Sequence, residues 1–358
     1  MNNTDLNAFL IGLTKSFYDF SNRIAHGVVP ELAPPFLSYH DFDGDIISYY
    51  EWFFDKYNEC LSALPNDEIE RVGEMMSALV KLSSGRVASF SLIQDVQRVQ
   101  KMIIDAMVQY FKGFPSEAMA VVESEMLRDN MHLFLLLPQL EISGFSLYRI
   151  ARTNRRVESG KDMFHVPFNK RCCCGTYRYS IPGYPSLYLS HRLDVSKREM
   201  DVSGRESYYA ACFNPVNPLR FVDLGLTKSF EAIWERYSLL VFYPLIMACG
   251  LKVKDSKMPF KPEYVIPQLL TQVIRLHMTG DVDFDGISYI STKLDAPDYF
   301  DLNQRNYVLW IKGADQENHY SEQLAEKFRV SGPLRCCGMA STIKIENKLK
   351  EMELKPVL

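Results

Sequence analysis

The hydrophobic period of this chain changes near residue 140, so no single regular architecture suits both parts. Upstream, Leu92, Val96, Val99, Ile103, Met107 and Tyr110 recur at spacings of three and four, which predicts one apolar helix face. Polar Gln94, Asp95, Gln97, Arg98, Gln100 and Lys101 fill the other side. Similar stripes run through 6–24, 49–64 and 116–137, with turn signals at 30–35, Pro65-Asn66-Asp67 and 113–115. Downstream, short β-branched and aromatic runs at 177–181, 186–190, 220–224 and 288–291 lie between Pro and Gly turns, as strands do. Helical candidates at 229–248 and 263–278 intervene, and 343–353 reads as a polar helix. The irregular mixture predicts an α+β protein: a helical domain over 1–140, a mixed domain over 141–340 and a tail over 341–358.

With 358 residues, 47% hydrophobic and 23% charged, the chain has the composition of a globular protein, not of a disordered tail, a collagen-like fibre or a disulfide mini-protein. The densest apolar runs, 131–137 and 239–249, are shorter than the roughly 20 residues a bilayer needs. Pro138 ends the first and Pro244 interrupts the second. The opening MNNTDLNAF lacks a basic region, a long apolar core and a cleavage site. Eight cysteines include the neighbours Cys172, Cys173, Cys174 and Cys336, Cys337, awkward disulfide partners for each other. The expectation is a cytoplasmic protein with reduced thiols and no membrane association.

Net charge is −4, unevenly spread. Residues 1–140 hold ten Lys and Arg against nineteen Asp and Glu, and the remainder holds thirty against twenty-five. The stretch 149–178 carries eight basic residues against Glu158 and Asp162. Such a field suits an anionic ligand, and a solvated basic loop is the competing reading.

Most chemical motifs fail on spacing. Asp281, Asp283, Asp285 and Gly286 open like a calcium loop, but Thr292 stands where a bidentate glutamate should close the shell. Asp41, Asp43 and Asp45 form a weaker copy and read as a solvated turn. Contiguous cysteines point to opposite faces of an extended segment and do not converge on one zinc ion. There is no HExxH, no Walker loop, no GxGxxG and no familiar nucleic-acid module, so no metal and no nucleic-acid partner is expected. What remains is dispersed: Tyr148-Arg149, then the run Arg178 to Ser190 with a type II turn at Pro182-Gly183, then Glu199 on an expected helix, then a strand ending at Ser291.

Together the segments HVPFNKR, RYSIPGYPSLYLS with its following glutamate, PEYVIPQLLTQVIR, FDGISYIS and NYVLWIKG resemble the RES domain, over roughly residues 141–340. That family is named for dispersed Arg, Glu and Ser residues. It includes toxins of toxin–antitoxin pairs that destroy NAD+ by hydrolysis or phosphorolysis, on a fold similar to ADP-ribosyltransferases. The resemblance implies that Arg149, Glu199 and Ser291 are catalytic. It implies that Arg178, Tyr188 and Tyr148 bind the dinucleotide, Arg178 being the alternative to Arg149 as the family arginine. Cleaving the nicotinamide–ribose bond passes through an oxocarbenium-like transition state, which a carboxylate at Glu199 would stabilise. Arginines would grip the pyrophosphate, Tyr188 would orient the nicotinamide and Ser291 would hydrogen-bond the substrate.

The expected activity is therefore NAD+ glycohydrolysis or phosphorolysis, with water or inorganic phosphate as acceptor. The alternatives are ADP-ribosyl transfer to a macromolecule, and a non-enzymatic nucleotide sensor. The resemblance also implies a toxin-like role in a toxin–antitoxin or phage-defence setting, with an antitoxin or regulatory protein as partner; a homo-oligomer is expected. The acidic helical part is expected to dock on the basic part or on a partner.

Overall fold

The computed structural model of the chain describes residues 14–29, 32–33, 36, 42–85, 87–226, 232–253, 255, 257–277, 283–294, 301–311 and 319–358. Expectations that fall on 6–13, on Pro30, Pro35 and Asp41, on 229–231, and on Met278 and Asp281 lie outside the described residues. The elements begin with α1 (Lys15–Ala25), α2 (Ile46–Ser62), α3 (Asn66–Ser84), α4 (Leu92–Phe111), α5 (Pro115–Leu135), β1 (Gln139–Ile142) and β2 (Leu147–Ala151). Then come β3 (Ser186–Ser190), α6 (Leu193–Glu199), β4 (Ser207–Pro215), β5 (Leu219–Leu224), α7 (Ile233–Gly250), α8 (Val265–His277), β6 (Gly286–Ile290) and β7 (Arg305–Trp310). The chain closes with α9 (Glu322–Glu326), β8 (Phe328–Ser331), β9 (Leu334–Cys337), α10 (Thr342–Glu351) and β10 (Leu354–Pro356). The architecture is α+β, in two compact units: Met1–Pro138 with Leu226–Val273, and Gln139–Gly225 with Ile274–Leu358.

In the helical unit the α4 stripe buries as its spacing predicts: Leu92, Val96, Val99, Ile103 and Met107 are all inaccessible. Asp45, read from sequence as part of a solvated acidic turn, is the N-cap of α2 and accepts the Ser48 N–H at 2.9 Å. Gly85 ends α3 at φ +69, the left-handed turn that glycine adopts without penalty. Helix α7 is apolar on every side and buried along nearly its whole length. Pro244 lies inside it and has no N–H to offer the carbonyl of Leu240. The Tyr57 hydroxyl of α2 donates to that carbonyl at 2.7 Å, so the orphaned acceptor is satisfied in the core.

The expected boundaries gave 226–273 to the mixed domain, whereas the structure gives it to the helices. A helix with no polar face has to be enclosed all round, and a bundle does that where one side of a sheet cannot. The tail moves the other way. Ile345 and Leu349 of α10 are buried in a cluster with Tyr148, Ile150 and Tyr208, and β10 pairs with β8.

The second unit is a ten-stranded sheet in the order β1-β5-β6-β7-β3-β2-β4-β8-β10, with β9 paired to β4. Among the described residues β5 and β6 alone pair in parallel. One apolar cluster contains Leu147, Leu187, Leu189, Ala211, Phe213, Tyr307 and Leu309. Strands appear at 186–190 and 220–224 as expected, and β6 stops one residue before Ser291. Residues 177–181 do not form one. The Ser180 hydroxyl accepts the Tyr177 N–H at 2.7 Å and its backbone N–H reaches the Tyr177 carbonyl, closing a local turn. The Pro182-Gly183 turn is present, with Gly183 at φ +73 and the Tyr184 N–H on the Ile181 carbonyl at 2.9 Å.

Candidate active site

β2 and β3 pair at a single register position, Tyr148 opposite Ser190. Beyond it β2 follows β4 and β3 follows β7, so the sheet parts between them. Polar side chains that are remote in sequence gather beside this parting.

Glu199 is the last residue of α6, which follows β3 after a two-residue link. Its Oε1 accepts two hydrogen bonds, from the Ser291 hydroxyl at 2.6 Å and from Asn306 Nδ2 at 2.7 Å. Asn306 is itself oriented by Ser190, whose hydroxyl donates to Asn306 Oδ1 at 2.6 Å. Ser190, Ser291 and Asn306 are buried while Glu199 is half-buried. Alternation places the strand residues: β3 sends Leu187 and Leu189 into the apolar cluster and leaves Ser190 on the opposite side, where its register partner on β7 is Asn306. The carboxylate is thus held through one oxygen, and among the described residues none donates to Oε2.

Arg178 is buried, and its Nη2 donates to the Thr292 hydroxyl at 3.3 Å, one residue beyond Ser291. Tyr289 on β6 adds an aromatic wall. Its ring lies 4.7 Å from that of Tyr179. Burial pushes its phenol well above the ordinary range, reinforced by Glu199, Tyr188 and Tyr179 and opposed by Arg178. Tyr188 meets Tyr177 edge to face at 5.4 Å.

Arg149 stands on β2 next to the parting. Its Nη1 is buried and has no hydrogen-bond partner among the described residues. Desolvation lowers its pKa to about 10, and the phenols of Tyr177 and Tyr188 offset this in part. Arg149 does not bond Glu199; Tyr188 is an electrostatic neighbour of Arg149 and of Tyr289, and Tyr289 in turn is a neighbour of Glu199. Tyr148 is placed elsewhere. It is buried with Leu193, Val202 and Tyr208, and its carbonyl accepts the Ser196 hydroxyl at 3.1 Å, so it anchors α6 instead of lining the cluster.

The structure therefore brings Glu199, Ser291, Arg178 and Tyr188 into one neighbourhood, sets Arg149 at its edge and turns Tyr148 inward. The sequence reading did not single out Ser190, Tyr289, Lys293 or Asn306. Ser190 and Asn306 could have been noticed as polar residues at the ends of apolar strands, in the SLYLS and NYVLWIKG segments. Part of the basic stretch lines a separate hollow. Arg152 and Arg156, with Arg335, Ser207 and Tyr209, line an open depression of about 1030 Å³ that includes none of Arg149, Glu199 or Ser291.

Asp285, from the calcium-like segment, accepts the Arg220 N–H at 2.8 Å and pairs with Lys327 at 2.9 Å. Among the described residues no group of His, Cys, Asp and Glu could hold a metal ion, and no helix is long and apolar enough to cross a membrane.

His165 borders this region and makes a pH-dependent prediction. It is buried, Nδ1 lies 2.8 Å from the Val166 carbonyl, and Nε2 lies 3.0 Å from the Ser321 N–H, the pattern of a neutral ring. Burial, with Arg149 adding repulsion, lowers its pKa to about 4. The unfolded chain binds this proton near pH 6.5, so the stabilisation is complete above that value and is lost as pH falls toward 4. The loss amounts to about 3 kcal/mol. Urea unfolding midpoints from pH 7 to 4.5 should fall more steeply for the wild type than for His165→Gln, and parallel slopes would remove His165 as the cause.

The chain is 28% identical over 307 residues to "Putative toxin YopC" of Bacillus subtilis (strain 168), an alignment covering 81% of this chain. It spans 66% of that relative's length. No protein-family profile and no solved structure matches it. The chain is thus similar to a protein named as a toxin, and its fold and site define a mixed-sheet protein with a buried-donor carboxylate cluster.

Proposed function

We propose that the chain cleaves NAD+ at the nicotinamide–ribose bond, in a toxin-like role. The observation that carries this reading is the Glu199 carboxylate, held through Oε1 by Ser291 and Asn306 with Oε2 left open, in the same neighbourhood as Arg178. The resemblance of these segments to the RES domain and its ADP-ribosyltransferase-like fold supports it, as does similarity to a protein named as a toxin.

In this mechanism Arg178 and Arg149 bind the pyrophosphate. Arg149 is suited to it because its buried Nη1, with no hydrogen-bond partner among the described residues, gains more from an anionic partner than a hydrated donor does. Tyr188 and Tyr289 flank the nicotinamide. As the C–N bond breaks, its electron pair passes to the nicotinamide nitrogen, which leaves neutral. Positive charge develops on the ribose, and Glu199 Oε2 stabilises it. Water or inorganic phosphate then bonds to the ribose carbon; with water, one proton is released to solvent.

The test is mass analysis of products from the full chain with NAD+, with and without phosphate. Nicotinamide plus ADP-ribose would establish hydrolysis, a phosphorylated ADP-ribose would establish phosphorolysis, and a labelled protein would establish transfer. NAD+ left intact under all conditions would overturn the proposal.

A further inference from the structure

The carboxylate at the centre of the candidate site occupies an electrostatically adverse position. Glu199 closes α6, and a helix C-terminus exposes unpaired carbonyls equivalent to roughly half a negative charge. The helix has seven residues, too few to hold its own end. Two of its carbonyls are satisfied locally. The Val202 N–H reaches the Lys197 carbonyl at 3.0 Å and the Asp201 N–H reaches that of Arg198 at 3.1 Å. Asp201 stands at φ +50, the left-handed turn that usually takes glycine. The next two carbonyls each meet a cation from a segment remote in sequence, one just after β6 and one just beyond β2. Lys293 Nζ donates to the Glu199 carbonyl at 2.7 Å, and Arg152 Nη1 donates to the Met200 carbonyl at 2.9 Å.

Lys293 does more than cap. Its Nζ also bonds Asp201 Oδ2 at 2.8 Å, and its backbone N–H lies 3.3 Å from the Ser291 hydroxyl. Three consecutive residues after β6 thereby each secure one component of the site. Ser291 bonds the Glu199 carboxylate, Thr292 bonds Arg178, and Lys293 bonds the Glu199 backbone. The Lys293 side chain is one-third exposed, so its charge is screened and its main effect is to fix geometry.

We infer that Lys293, seconded by Arg152, is a positioning residue: it locks the end of α6 to the turn carrying Ser291, so that the Glu199 carboxylate keeps its place. The inference rests on the proposed glycosidic cleavage. Arg152 reaches the same end from just beyond β2, the strand that carries Arg149, and is itself steadied by Glu206 at 3.0 Å.

The test compares the full wild-type chain with Lys293→Met and Lys293→Arg, alone and with Glu199→Gln. Lys293→Met should lower kcat about 30-fold, because small misplacements of a reacting group cost that order of rate. KM should stay within about threefold, since substrate-binding groups are untouched. Lys293→Arg should recover most of the rate. In the Glu199→Gln background, Lys293→Met should cost little more, as for two residues acting through one group. Wild-type kcat in Lys293→Met, a change confined to KM, or full additivity with Glu199→Gln would overturn it. If the wild type leaves NAD+ intact, the reading of function fails and the clamp is judged by amide exchange. Faster exchange at 199–202 in Lys293→Met, restored in Lys293→Arg at equal melting temperature, supports it; unchanged exchange overturns it.

Discussion

Replacing Glu199 by Gln should lower nicotinamide release about 1000-fold while leaving the melting temperature unchanged. The side chains match in size, and a Gln carbonyl oxygen still accepts from Ser291 and Asn306, whose donors sit 2.6 and 2.7 Å from the present Oε1. What disappears is the negative charge at Oε2. On the proposed mechanism that charge acts only as the ribose becomes cationic, so the loss should fall on kcat and leave KM nearly constant. A 1000-fold loss corresponds to about 4 kcal/mol of transition-state stabilisation. If Glu199→Gln releases nicotinamide within tenfold of the wild-type rate, the carboxylate is not the charge-stabilising group.

The second large effect concerns stability. Arg305 is completely buried in β7, and its Nη1 bonds both Asp223 Oδ1 and, at 2.9 Å, the Ser288 hydroxyl. Asp223 also accepts the Gly225 N–H at 3.0 Å. The guanidinium fills the space above Gly225, where a Cβ would lie 2.7 Å from Arg305 Cζ, so glycine is required there. Asp223→Ala should destabilise the protein by about 3–5 kcal/mol, because it strands a desolvated cation. The double variant Asp223→Leu with Arg305→Met should cost clearly less, since it removes both charges. Chemical unfolding of the single and double variants decides it. A loss under 1 kcal/mol for Asp223→Ala would mean that water or another group compensates Arg305.

Local elements were legible where one period dominated. The stripe from Leu92 to Met107, the strand at 186–190 and the turn at Gly183 depend on neighbours within a few residues, and the structure has each of them. The segment 177–181 was misread because Ser180 satisfies the backbone of Tyr177, an option that aromatic composition does not reveal. The domain boundary was misread because an all-apolar segment such as α7 states that it is buried without stating by what. Tyr148 shows the same ambiguity within a motif. Beside Arg149 it looks like a ligand-facing aromatic, but strand alternation sends it into the core with Leu193 and Tyr208.

By itself the sequence determined the helical and mixed character of the two regions, the positions of the main helices and strands, and the residue types available for chemistry. Those properties follow from spacing and composition, which act over one or two turns of chain. Only the tertiary structure decided that Glu199 and Ser291, 92 positions apart, share a hydrogen bond, that Asn306 completes it, and that Lys293 secures the backbone beneath. Such pairings depend on strand order and register, where one residue of shift turns every side chain to the opposite face.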